Sequence, residues 1–182
     1  MGEINIPVDV KLFIAVTFSD ESVFEKIKLL LEEQFGKIEI QSAIFTFNFT
    51  HYYDKEMGTG LKKQLLGFCD LIRPESLPEI KVMTNKIEDQ FKHGGNRKVN
   101  IDPGYLSAAK VVLATTKNFD HRLYLGKGIF GDVHLRYRQK KFHFNPWTYR
   151  DYKSMLVIEF LTRLRRIYMK QYENLIASED LN

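Results

Sequence analysis

The chain has 182 residues, 44% of them hydrophobic and 27% charged, enough apolar material for one packed core and too much for an intrinsically disordered chain. A net charge of +4 admits an anionic partner without requiring one, and the single cysteine, Cys69, excludes an intrachain disulfide and a cysteine-rich zinc site. There is no secretory leader, no myristoylation pattern (position 6 is Ile6) and no apolar run near the ~18 residues of a membrane helix, so we expect a cytoplasmic protein without a membrane partner, folded as a single domain over residues 1–182.

Taken in chain order, Lys11 to Thr17 is an apolar run of strand formers and reads as a central strand. Asp20 or Ser22 can cap the helix that follows. Its stripe is Val23, Phe24, Ile27, Leu30, Leu31 and Phe35, and Gly36 is placed to end it. Ala43 to Tyr53 alternates, with Phe45, Phe47, Phe49, His51 and Tyr53 on one face, and predicts a long half-buried strand. A glycine-bearing loop separates it from a second apolar run, Gln64 to Ile72. Ser76-Leu-Pro-Glu79 has the spacing of a capping box, and Ile80, Met83, Ile87 and Phe91 carry a helix on toward Gly94.

A strand over Lys98 to Asp102 then completes β-α-β-β-α-β, the ferredoxin-like order, within an α/β (α+β) fold; another strand order in an open sheet is equally compatible. Asp102-Pro103-Gly104 has the residues of a type II turn. Lys110 to Thr116 favours strand over helix through its β-branched residues. His121 to Leu125 and Asp132 to Arg138 form a β-hairpin, Lys141 to Phe144 a short strand, and Tyr149 to Ala177 a long C-terminal helix, with Thr148 and Asp151 as its capping pair.

Four stretches, Thr50 to Gly58, Val99 to Leu106, Leu113 to Gly126 and Pro146 to Tyr152, resemble an uncharacterised prokaryotic family known as domain of unknown function 4416. The resemblance spans nearly the whole chain and implies a stand-alone domain of this size. It implies no activity, so candidate sites rest on the residues themselves.

His51, Asp54 and Glu56 lie where the aromatic strand runs into a loop, a usual place for function. With His121 they can serve in acid–base catalysis or hold a divalent metal, although no metal-site spacing supports the latter; the plainer alternative is a cap on the aromatic face and solvated loop charges. Lys98, Asn100 and Asp102 share one strand face, and with Tyr105 and Lys110 they form either one wall of a ligand cleft or the wet side of an edge strand. Thr115 to Arg122 offers Lys117, His121 and Arg122 to a phosphate or carboxylate, or is simply a solvated turn.

Gly126-Lys-Gly-Ile-Phe-Gly131 matches a glycine-rich nucleotide pattern, but a strand follows where the dinucleotide motif needs a helix and no kinase motifs accompany it; it reads as a hairpin turn. Thr84 to Asp89 reads as helix surface. Paired His-x-Thr/Ser phosphoesterase motifs are absent, because His51, His121 and His134 all lack the hydroxyl at the third position. Cys69 reads as a small buried hydrophobe and Trp147 as the closure of a core edge.

Charge divides unevenly. Residues 1–92 hold eleven Lys and Arg against fifteen Asp and Glu, and residues 93–182 hold sixteen against eight. Arg136, Arg138, Lys140 and Lys141 are the steepest basic segment and the candidate contacts to nucleic acid. The first expectation is therefore an enzyme or ligand-binding domain for a small anionic, phosphate-bearing molecule. The alternative is a non-catalytic nucleic-acid-binding module. A self-associating interaction protein is a third possibility, and the sequence does not specify an oligomeric state.

Overall fold

The computed structural model describes residues 2 and 4–179. Strand β1 (Val10–Phe18) is buried along its whole length, as its unbroken apolar run implies. Phe13 and Ala15 enter one core; Leu12, Ile14, Val16 and Phe18 enter the other. Helix α1 (Glu21–Phe35) is capped by Asp20, whose carboxylate accepts from the Ser22 N–H at 2.8 Å, and ends at Gly36 with φ +84°. It packs Phe24, Ile27 and Leu31 beneath the second face of β1. Helix α3 (Leu77–Gln90) covers the same face through Ile80 and Ile87. Ser76 makes no side-chain cap, because the 3-10 turn Pro74–Ser76 already feeds the helix.

The C-terminal helix α4 (Met155–Glu179) covers the opposite face with Val157, Phe160, Leu161, Leu164 and Tyr168. Each such side chain contributes roughly 1.5–3 kcal/mol by leaving water. No helix among the described residues is long and apolar enough to cross a membrane.

Between these layers lies one antiparallel sheet. Strands β2 (Ile38–Gln41), β4 (Lys62–Ile72), β1 and β5 (Val99–Leu106) lie side by side in that order. With α1 and α3 as crossovers, this is the expected ferredoxin-like order, but its second strand is Ile38–Gln41 and not the expected Ala43 to Tyr53. The sheet continues through β6 (Lys110–Thr115), β8 (Ile129–Arg138) and β7 (Leu123–Gly126); β3 (Phe45–Thr46) pairs with β4, and β9 (Lys141–Phe144) with β8. The glycine-rich pattern is indeed a hairpin turn, with positive φ at Gly126, Lys127 and Gly128.

Several elements depart from the sequence expectation. The aromatic segment after Ala43 pairs only through Phe45 and Thr46, opposite Lys63 and Lys62. It then leaves the sheet, and Phe47, Met57 and Leu61 build a small core of their own with Phe49 and Tyr53. The short helix α2 (Asp54–Met57) lies within this excursion. Alternating aromatics thus satisfy a local cluster instead of a strand. Asp102-Pro103-Gly104 is no turn but the middle of β5, where all three residues pair with β1. Helix α4 begins at Met155, because Asn145 to Ser154 is occupied in turns against β8: Thr148 donates to the His134 carbonyl at 2.6 Å. Cys69 is half-buried, and its carbonyl accepts from Lys11 and Gln171.

The sheet also forks. Strands β5 and β6 pair only at Gly104, Tyr105 and Leu106. Toward Val99, β5 follows β1; toward Thr115, β6 follows β8. Pro103, which has no N–H to offer a neighbour, stands at the parting. In the crotch, a Cβ on Gly104 would lie 2.6 Å from the Val112 carbonyl oxygen, so only glycine allows the strands to meet there.

Candidate functional site

A cleft of about 980 Å³ opens where the two arms separate. One wall is Asn100 and Asp102 of β5, with Asn85 and Glu88 of α3. The other is Leu113 to Lys117, with Asp132 of β8. Phe47 to Tyr53 and Trp147 to Asp151 close over it. The first cover is tied down by Glu56, which grips Arg97 with both oxygens at 2.7 Å, and the second by Asn145, Trp147 and Thr148, which hydrogen-bond carbonyls of β8.

Asp102 is at the centre. Its Oδ1 accepts from Lys81 at 3.2 Å and its Oδ2 from Asn100 at 2.6 Å. Burial alone would raise its pKa, but the lysines Lys81 and Lys63 reverse that and hold it below the usual carboxylate value. Lys81, whose ammonium also donates to the Ile101 carbonyl at 2.7 Å, is buried, as is Lys63. Lys63 pairs with Asp151 at 2.6 Å and lies over the Phe47 ring at 4.8 Å. Burial pushes the Tyr53, Tyr149 and Tyr152 hydroxyls upward and the charge of Asp102 adds to each, so all three keep their protons.

Arg97 links the β5 arm to α3 and α2. Besides Glu56 it reaches Glu88 at 3.1 Å and Asn100 at 3.2 Å. The Arg97 hydrogen bonds hold the Glu56 carboxyl down, whereas burial raises Glu88 despite Lys81 and the Ile101 N–H. On the other arm Asp132 accepts from Arg122 at 3.3 Å and from His134 Nδ1 at 3.3 Å. The His134 tautomer follows from its second contact: Tyr149 N–H donates to Nε2 at 2.9 Å, so the proton is on Nδ1. Burial would raise Asp132, but His134, Arg122 and His121 draw it down. Arg122 also donates to the Tyr149 hydroxyl at 2.9 Å, and His121 stacks on Trp147 at 4.8 Å. Trp147 therefore lines the cleft, with a histidine stacked behind it, instead of closing a core.

A family model described as Domain of unknown function (DUF4416) matches residues 8–168. The chain belongs to this family. No curated protein and no solved structure matches it. All four stretches that carry the family resemblance, far apart in sequence, contribute residues to the wall of this one cleft.

The catalytic and ligand-binding candidates from the sequence divide into three groups. His51, Asn100, Asp102 and Lys117 line the cleft. Asp54, Glu56, Arg122 and His121 lie one contact behind it: Asp54 holds His51 at 2.8 Å, Glu56 holds Arg97, and Arg122 and His121 flank Asp132. Three residues lie elsewhere. Tyr105 and Lys110 line a separate hollow of about 450 Å³ beside Tyr168 and Tyr172, because they stand at the zipped end of β5 and β6, away from the fork, and half-buried Lys98 is not in the wall. Among the described residues no group of three or more His, Cys, Asp and Glu side chains is gathered as for a metal, since Glu56 faces Arg97 instead of His51. Arg136, Arg138, Lys140 and Lys141 are exposed around the β8–β9 turn.

Lys63, Lys81, Glu88, Asp132, Tyr149 and Asp151 are site residues that sequence reasoning missed. One signal was present. Lys81, Thr84 and Glu88 recur at helical spacing and are buried, a second, polar stripe beside the apolar one; the segment Thr84 to Asp89, read as helix surface, in fact brings Asn85, Glu88 and Asp89 to the cleft.

Proposed function

We propose that the fork cleft binds a small anionic, phosphate-bearing molecule in the cytoplasm, as a ligand-binding domain or an enzyme. The observation that carries this reading is a pair of exposed cations at the mouth, Lys117 and Arg150, with no carboxylate partner among the described residues, over a cleft of ligand size. The Lys117 ammonium lies 3.8 Å from the centre of the Tyr52 ring, which places it across the mouth while leaving its charge uncompensated. The interior cations Lys63, Lys81, Arg97 and Arg122 are each already paired, so they set the shape and dielectric of the floor. His51, 96% exposed and oriented by Asp54, is the group placed for proton exchange with a bound ligand.

Titration with inorganic phosphate, followed by thermal unfolding, tests the reading. Binding to the folded state raises the melting temperature, and Lys117→Glu with Arg150→Glu abolishes the rise. No rise with phosphate or any phosphate ester would sink it. A second reading, nucleic-acid binding, is favoured by the exposure of Arg136, Arg138, Lys140 and Lys141 around one tight turn, without carboxylate partners among the described residues. Salt-dependent affinity for a short RNA that disappears on charge reversal at these four, and not at Lys117 and Arg150, would select it.

A further inference from the structure

We propose that the ligand of the cleft is a phosphorylated polyol, a sugar phosphate in chemical class, with its phosphate at Lys117 and Arg150 and a hydroxyl read by Asp102. The proposal rests on the reading above that the cleft takes a phosphate-bearing anion, and adds what the rest of that molecule must be.

Of the five carboxylates that line the cleft, Asp89 is 62% exposed and paired with Lys92 at 2.6 Å, and the other four are not equivalent. The side chains of Glu88, Asp132 and Asp151 are 5%, 2% and 4% exposed, and each is consumed by a buried partner. Asp102 is 29% exposed. Lys81 and Asn100 take one site on each of its oxygens, and a carboxylate offers roughly four. Its remaining acceptor capacity faces the cleft, so the part of the ligand that meets it must be a hydrogen-bond donor. An ammonium donor would arrive as a further cation beside Lys81, at 3.2 Å, and in the field of Lys63. A hydroxyl donates without adding charge.

Two tyrosines extend the match. The Tyr149 oxygen receives Arg122, which leaves its own proton for a ligand oxygen, and Tyr53 keeps its proton beside Asp102. Hydroxyls, which both donate and accept, suit a site that offers an acceptor and donors together. Tyr52, Tyr53, Trp147 and Tyr149 also give the wall flat apolar faces, against which the C–H face of a sugar can lie. Anion at the rim, hydroxyl at the floor and apolar faces between them describe a phosphorylated polyol.

Calorimetry on the full chain tests this with ribose 5-phosphate, glucose 6-phosphate and glycerol 3-phosphate, each against methyl phosphate, which has the phosphate but no hydroxyl. At least one polyol phosphate should bind about tenfold or more tightly than methyl phosphate, the gain of one charge-assisted hydrogen bond. Asp102→Asn should erase that advantage, read as the ratio of polyol phosphate to methyl phosphate affinity within each protein. Equal affinity of all four in the wild-type protein overturns the proposal whether or not the variant folds, as does an advantage that survives in a folded Asp102→Asn. If methyl phosphate, inorganic phosphate and every polyol phosphate fail to bind, the reading of the cleft as an anion site has itself failed.

Discussion

The two ends of strand β5 solve opposite problems with the same backbone. At Gly104 to Leu106 it is zipped between β1 and β6, and Leu106 joins the core beneath α4. At Val99 to Asp102 one partner is missing: Val99 and Ile101 still enter the core under α1 and α3, while Asn100 and Asp102 face a cleft. The zipped end is held by apolar burial. The open end is held by ion pairs: Lys81 to Asp102 and Arg97 to Glu56 along the β5 arm, and Lys63 to Asp151 from β4 to the segment tied to β8. A buried charge helps only while its partner is present, so the open end is the one where single substitutions cost most and where binding is decided.

The sharpest way to break this contrast is to remove one charge from the open end. Lys63→Met leaves the Asp151 carboxylate buried and unpaired, and should cost about 3–5 kcal/mol in denaturant unfolding. Leu161→Ala beneath α4 leaves a cavity, with a cost of about 2–5 kcal/mol, but should not change phosphate affinity. A Leu161→Ala protein that folds yet no longer binds would show that the two ends are coupled.

Gly104→Ala acts at the boundary itself. The added methyl group meets the Val112 carbonyl and Phe13, and the expected loss is about 1–3 kcal/mol. A neutral result would mean that β5 and β6 can separate further without penalty, and the fork would then be a hinge.

The gentlest probe is pH. The folded pKa of Asp102 lies below its ordinary value of 3.8, so its contribution is complete above that value and is lost as the pH falls through the lowered folded value. Asp102→Asn should thus be less stable than the wild-type protein at neutral pH, by about 1.5–3 kcal/mol for a hydrogen bond to a charged group, and the difference should close in acid. A gap constant from neutral pH down to about pH 2 would assign the loss to something other than the charge.

Much of the scaffold was legible because its signals are local. The unbroken run of β1, the capped stripe of α1 and the alternation of Lys98, Asn100 and Asp102 each follow from the spacing of a few neighbouring side chains. The polar face of β5 was readable as a wall for the same reason. Local signals also misled where tertiary packing overrode them. The aromatic alternation after Ala43 fed a satellite cluster, and the turn-forming residues Asp102-Pro103-Gly104 were held extended by β1. The division among the anion-binding candidates has a similar origin: Lys117 and Lys110 are seven positions apart on one arm, yet the fork gives the first to the cleft and leaves the second at the far end.

What the sequence by itself determined is the main strands and helices other than β2 and α2, their order and the faces they bury, because hydrophobic periodicity and caps act within a few residues. Only the tertiary structure decided that β5 and β6 part at Pro103 and that Lys63 meets Asp151, 88 positions away. The reason is physical. A buried ion pair is specified by the desolvation of two distant groups at once, and neither partner carries the mark of the other in its own neighbourhood.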